Sequence, residues 1–529
     1  MADTVSSHAV LAPAAAAPAN SAPIPTWRSF AAIGAVLLGA MISTLTSRIT
    51  SLGLADIRGA LSVGFDDGSW INTAFTAAQM FVGPIAVWAA FVFGVRRVLL
   101  VAASIFLAAE LLLPLATHFR VFILLQTCAG LSSGAFVPTT VSFIARALPP
   151  RLIPFGIAAY AMNLETSLNL SATLEGWYSE HLSWHWLFWQ NALLCVPFML
   201  CLLLAMQDEP THEREAPPDY AGLLLGACGF TALVIALDQG ERLFWFQSPF
   251  IVFMLGAGAL LLGGSIAIQL CSARPAIRLD WFLRRNITIL IVLVGLVRFC
   301  VLNTSFIPSV FLASVHGLRP LQVGDTLRWI AVPQALFAPA VAFLLLRFDA
   351  RRLIKIGFAA VALAFALGTA ITSAWAEPDF IPSQLLQALG QTMVLTSVIY
   401  FLGKHITAEH ALTFGAVVQT TRLFSGQLGT TSLALTQRIF EATHSNLLGA
   451  HVDTLNPLTL ERLLALPSAG GAWLASNPAL APAASLALLD HAVRTQAVTL
   501  ALADNYRLAA ACAMAGIALA LLLAKKPGG

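Results

Sequence analysis

Charge is what this 529-residue chain has least of: Asp, Glu, Lys and Arg make up 10% of it, against 58% hydrophobic residues. Soluble domains carry about 25% charged residues, so a water-exposed globular protein of this length is excluded. Cysteine is also sparse. The seven present (Cys128, Cys195, Cys201, Cys228, Cys271, Cys300, Cys512) lie in or beside apolar runs without ligand spacing, and read as small buried hydrophobes. No metal site, nucleotide-binding P-loop or catalytic constellation is present in the sequence, so neither a cofactor nor an enzyme is expected. Residues 1–27 lack a basic leader segment and a sustained apolar core, which fails the pattern of a signal peptide and predicts a disordered tail. The net charge of +3 is small, and the basic residues sit in short clusters between apolar runs, a pattern of membrane orientation and not of nucleic-acid binding.

Long apolar runs are what the chain has in abundance, and its mean hydropathy is +0.81. About 20 apolar residues suffice to cross a bilayer. Fourteen stretches qualify: 29–54, 70–93, 98–117, 121–145, 154–175, 187–206, 221–237, 249–270, 287–312, 323–346, 353–373, 383–403, 412–434 and 505–524. An all-α polytopic membrane protein follows. Placing the N-terminus in the cytoplasm puts seventeen of the 29 basic residues on that side, nine on the other and three inside spans. Both termini are then cytoplasmic, as an even number of crossings requires.

The order of spans suggests two six-helix bundles, 28–206 and 271–529, with two inserted helices at 221–270 and an acidic, proline-containing linker at 207–220. Repeats of this kind place substrate between the halves near the midplane. A polar segment, 435–504, separates the last two spans and predicts two or three short amphipathic helices on the outer side, with a Gly470-Gly471 break.

Five segments carry a family resemblance: Gly68 to Thr73 (GSWINT), Trp184 to Asn191 (WHWLFWQN), Leu237 to Phe246 (LDQGERLFWF), Pro275 to Asn286 (PAIRLDWFLRRN) and Arg422 to Gly429 (RLFSGQLG). In this order and spacing the chain resembles the fourteen-span drug:proton antiporters of the major facilitator superfamily, and among them the EmrB-type exporters. The resemblance implies a major facilitator fold, export of small organic molecules and proton coupling. It also implies a periplasmic membrane-fusion adaptor and an outer-membrane channel as partners of the long outer segment, in a cell with an inner and an outer membrane.

Departures from the family pattern concentrate in the coupling motifs. Thr46 stands where the first span usually has an aspartate, and Phe91 replaces the aspartate of the loop after the second span. The fourth span has Gln126 where the family has an arginine, and the fifth reads Ser171 to Gly176 (SATLEG) in place of a Gly-Pro kink. The second half keeps a loop remnant in Asp349, Arg351 and Arg352.

Charges inside spans are costly, about 2.5 to 3.5 kcal/mol each on insertion scales, so those present are informative. Arg48 in span 1 and Arg298 in span 9 resemble in kind the arginine pair with which organic-anion carriers of the superfamily hold their substrates; the alternative is that each neutralises a glutamate. Glu165 and Asn169 share a face of the polar fifth span, which also carries Asn163, and form the candidate proton-carrying acid and its partner; a structural ion pair of Glu165 with an arginine is the competing reading. Glu110 is expected to snorkel or pair locally, and Arg422, beside Gly426 and Gly429, to serve helix packing. Three functions stay open: a proton-coupled exporter, an organic-anion carrier using the arginines, and a non-transporting receptor or assembly subunit on the same fold.

Overall fold

The described part of each of the fourteen apolar stretches falls mainly on one long helix in the structure, a computed structural model that describes residues 26–140, 148, 151–206, 220–272, 275, 276, 279, 284–404, 411–453, 456–469 and 481–524. The expectations for the tail, for nearly all of the linker and for the glycine break at 470–471 fall outside the described residues. The first half comprises α1 (Thr26–Leu52), the short α2 (Leu54–Leu61), α3 (Phe65–Phe93), α4 (Val95–Leu112), α5 (Phe119–Thr140), α6 (Ile153–His181) and α7 (Trp186–Ala205). The inserted pair is α8 (Tyr220–Gly240) and α9 (Pro249–Cys271). The second half comprises α10 (Arg285–His316), α11 (Pro320–Arg347), α12 (Ala350–Gly368), α13 (Glu377–Gly403), α14 (Ala411–Gly449), the short α15 (Pro457–Ala469) and α16 (Ala481–Leu521).

Ten of these helices are long and apolar enough to cross a membrane on length and composition. Two of the others show why sequence polarity and span are separable. Helix α6 carries Glu165, Glu175 and several amides and hydroxyls, and α12 opens on Arg351, Arg352 and Lys355. Interior prolines, such as Pro84, Pro138 and Pro308, are accommodated as membrane helices allow, where neighbouring helices re-satisfy the freed backbone groups.

The two halves have separate cores. In the first, Phe106, Phe136 and Phe198 stack in sequence, with centroids 5.5 and 4.8 Å apart, and all three are fully buried. In the second, Phe311 packs on Phe380 at 5.7 Å, and Phe358, Phe365 and Tyr506 continue the cluster. The halves meet along two seams, α6 on α11 and α3 on α14. At the first seam glycine permits the approach: a Cβ on Gly176 would lie 2.5 Å from the Leu321 backbone nitrogen, so no larger residue fits without moving a helix. Helix α8 fills the second seam, touching both α3 and α14, while α9 packs on α8 and leaves Phe253, Leu260 and Leu270 exposed as a lipid-facing surface does.

The polar segment before α16 departs from the expected short helices. No glycine or proline interrupts residues 433–448, so α14 runs on to Gly449, and α16 begins far ahead of its apolar portion. At 1.5 Å per residue each is about 60 Å long, twice the roughly 30 Å hydrocarbon layer. Their extensions are tied by Asn505, which donates to Gln437 Oε1 at 2.7 Å and accepts from Thr436 Oγ1 at 2.8 Å, and by His444 Nε2 against Asp504 Oδ2 at 2.7 Å. Among the described residues α15 is the one short helix of the segment, and it packs on α16.

Candidate functional site

The face where α1 begins and α16 ends is called proximal here, and the opposite face distal. Helix α1 carries Arg48 in its last turns, α10 carries Arg298 near its middle, and α14 carries Arg422. All three line one cavity of about 330 Å³ in the distal half of the interface between the bundles. That is within the size of small-molecule sites, roughly 300 to 1,000 Å³. Ser47, Asn72, Gln79, Asp238 and Gln427 add polar walls. Arg48 and Arg298, far apart in sequence and at different depths of their spans, lie near enough to repel each other. The Nε of each is buried with no hydrogen-bond partner, and neither forms an ion pair among the described residues. Arg422 donates from Nε to Gln419 Oε1 at 3.3 Å. Its sequence motif suggested helix packing; its head is also part of the cavity wall.

Glu165 lies on the other side of this layer. A smaller void of about 40 Å³, towards the proximal face, is lined by Tyr160, Glu165, Arg298 and Arg422, with Val294 and Ile399 among its apolar walls. Arg298 and Arg422 therefore border both spaces. Glu165 is 2% exposed, its Oε2 has no hydrogen-bond partner, and both arginines act on it electrostatically from beyond ion-pair distance. Below, Val36, Val137, Ile157 and Tyr160 of the first half pack with Ile399 and Tyr400 of the second, which closes the proximal half with apolar side chains.

The polar residues of α6 are largely spent on main chain. Asn169 Nδ2 donates to the Glu165 carbonyl at 3.0 Å and does not reach the carboxylate, and Asn163 Nδ2 donates across to Leu37 O at 2.8 Å. Ser167 and Ser171 bond backward along their own helix. Gln126 is fully buried in α5, with neither amide atom hydrogen-bonded, and does not line the cavity. Thr46, standing where the family has its acid, bonds Ile42 O at 2.8 Å. Glu110 is buried, not snorkelled, with Asn191 Nδ2 3.4 Å from Oε2. Asp349 caps α12 by accepting from the Arg351 backbone N–H at 3.0 Å and pairs with Arg351 Nη2 at 2.6 Å. The Arg351 hydrogen bonds hold its carboxyl below the usual carboxylate range, and Arg352 points to solvent.

One acid of the cavity wall is not among the site residues the sequence predicts. Asp238 lies one residue beyond the predicted end of span 7, where the sequence predicts a loop. Helix α8 continues to Gly240, so its side chain reaches the cavity and accepts hydrogen bonds from Thr73 Oγ1 and from Gln427 Nε2, the latter at 2.8 Å. The available signal was an acid within the boundary error of a span. Two histidines four residues apart, His181 and His185, straddle the turn between α6 and α7 and face Trp177 O and Ser183 Oγ, respectively.

This arrangement can hold an oxyanion. Guanidinium groups remain charged when buried and offer a planar fork to a carboxylate, phosphate or sulfonate.

Comparisons with known proteins agree with the architecture. Residues 36–430 match the family model described as Major Facilitator Superfamily. The multidrug export protein EmrB of Haemophilus influenzae is 24% identical over 437 residues, 80% of this chain and 84% of that protein. The fatty acid resistance protein FarB of Neisseria gonorrhoeae is 23% identical over 416 residues, 78% and 82% of the two chains. Among solved structures, the human organic anion transporter MFSD10 (TETRAN) superposes with a TM-score of 0.56 at 14% identity, covering 92% of this chain and 99% of its own. The proton:xylose symporter XylE does so at 0.55 and 13%, covering 78% and 90%. A multi-pass membrane protein with this fold, this family match and multidrug-export relatives is not an enzyme: the chain belongs to the Major Facilitator Superfamily.

Proposed function

We propose that the protein is a secondary active transporter of the inner membrane that exports small organic molecules by alternating access, coupled to protons through Glu165. The observation that carries this reading is the pair of spaces separated by Arg298 and Arg422: a distal cavity large enough for a small molecule and a proximal void holding one buried acid. With fourteen spans and both termini cytoplasmic, the cavity faces outward and the apolar proximal packing is the closed gate. Glu165 sits in the field of the two arginines that border the cavity, so its charge and that of a bound substrate are felt through the same groups.

A second reading is an organic-anion carrier without proton coupling, and the excess of three arginines over one glutamate in this layer favours an anionic group on the substrate. The extended distal hairpin of α14 and α16 is the surface suited to a membrane-fusion adaptor and, through it, an outer-membrane channel. Proteoliposomes separate the readings. Proton-coupled export expects an imposed pH gradient to drive uptake of an anionic dye into inside-out vesicles and Glu165→Gln to abolish the response. An undiminished response in that variant overturns the coupling assignment, and a folded protein that moves no compound favours the receptor reading.

A further inference from the structure

The cavity carries unbalanced charge of both signs, on different walls. On one wall Arg48 and Arg298 meet no carboxylate at ion-pair distance among the described residues, and the Nε of each lacks a partner. On another stands Asp238, which among the described residues receives hydrogen bonds only from neutral groups: Asn72 and Thr73 of α3 and Gln427 of α14. The charged neighbours of Asp238 are already engaged. Glu241, one turn on, binds Arg438 at 2.6 Å, and Arg242 binds Asp66 at 2.9 Å. Neutral donors orient a carboxylate without cancelling its charge, and a desolvated charge without an opposite partner is costly. The two sites are close in the fold. Arg298 Nε lies against Gly426, where a Cβ would be only 3.6 Å away, and the next residue, Gln427, holds Asp238. Both signs are thus presented beside a single turn of α14, across one small-molecule cavity.

We propose that the cavity selects amphoteric substrates: small molecules with an acidic group, seated on Arg48 and Arg298, and an organic cation, seated on Asp238. Asp238 is then a specificity-determining residue contributed by the inserted helix α8. The proposal rests on the transporter reading of this site and narrows its substrate class. A molecule bearing both charges neutralises both walls at once. A simple anion leaves Asp238 unpaired and close by, and a simple cation meets the arginines.

Three dyes on one tricyclic scaffold test this by fluorescence anisotropy with the full-length protein in detergent at neutral pH. Tetramethylrhodamine carries a carboxylate and a delocalised cation, its methyl ester only the cation, and fluorescein only negative charge. The wild-type protein is expected to bind tetramethylrhodamine about tenfold or more tightly than either of the others, on the scale of a buried charge pair formed or lost. Asp238→Asn should weaken tetramethylrhodamine and its ester by about tenfold and leave fluorescein bound at least as tightly, whereas Arg298→Gln should weaken tetramethylrhodamine and fluorescein and leave the ester bound at least as tightly. Asp238→Glu keeps the charge and should restore the preference. Equal weakening of all three dyes by Asp238→Asn would make Asp238 a clasp between bundles and overturn the proposal. So would wild-type protein that binds fluorescein as tightly as tetramethylrhodamine, or none of the dyes. The wild-type preference needs no variant to fold. Selective binding without transport of the same dyes in proteoliposomes sinks the transporter reading and leaves the bipolar site standing; transport without selectivity does the reverse.

Discussion

Replacing Glu165 with glutamine removes one negative charge from the arginine layer while keeping the side chain's size and a hydrogen-bonding head. Glu165 is 2% exposed, and Arg298 and Arg422 stand between it and the cavity. An anion seated on the far side of those guanidinium groups would lie about 8 Å from the carboxylate, and at an effective dielectric of about 20 their repulsion is about 2 kcal/mol. Its removal is expected to tighten binding of a sulfonated dye such as lucifer yellow by about thirtyfold. Lucifer yellow suits the assay because its sulfonates stay ionised across the pH range. Fluorescence anisotropy should show the wild-type protein binding more tightly as pH falls through the titration of Glu165, since an added proton has the same electrostatic effect as the amide. The Glu165→Gln curve should be flat at the tight limit. Linkage requires the converse as well: the bound dye must draw protons onto the wild-type protein, and a weakly buffered solution should report that uptake. A Glu165→Gln protein that binds no more tightly than wild type, or keeps the same pH dependence, would refute the electrostatic coupling of acid to cavity.

Other perturbations test the scaffold. Gly176→Val should drive α6 away from α11, with an overpacking cost of about 1 to 3 kcal/mol that lowers the thermal midpoint in detergent; an unchanged midpoint would mean the seam is looser than it appears in the packing at Leu321. Phe198→Ala opens a void beside Phe136 in the first bundle and should cost about 3 to 5 kcal/mol, read in the same assay. Asp349→Ala removes the cap of α12 and should cost about 1 kcal/mol. Because the Asp349 carboxyl titrates lower in the folded protein than its ordinary value near 3.8, its stabilisation is present above that value and is lost as pH falls through the folded one. The gap between wild type and Asp349→Asn should therefore close on acidification, and a gap that widens would contradict the Arg351 pairing.

The long apolar helices were legible because a span is a property of local composition: a run of apolar residues must bury its backbone polar groups in a helix wherever it crosses lipid. The motif remnant at Asp349 and Arg351 was legible for the same reason, as its hydrogen bonds close within three residues. Boundaries were less so. A hydropathy pattern ends where apolar residues end, but a helix ends where something breaks it, so α8 carries Asp238 past the predicted span and α14 runs on to Gly449. The sharing of Glu165 and Asn169 on one face was visible in their spacing, but the choice of the amide for the backbone carbonyl was not.

What the sequence by itself determined is therefore the membrane class, the apolar runs that become helices and the charges lying well inside those runs, each set by residues within a few turns of one another. The tertiary structure alone decided which charges meet. Arg48, Asp238, Arg298 and Arg422 come from four helices spread over most of the chain and line one cavity, Asp238 because α8 fills the α3–α14 seam between the bundles. Their electrostatics depend on separations of a few ångströms across that seam, and no periodicity along the chain encodes such a distance.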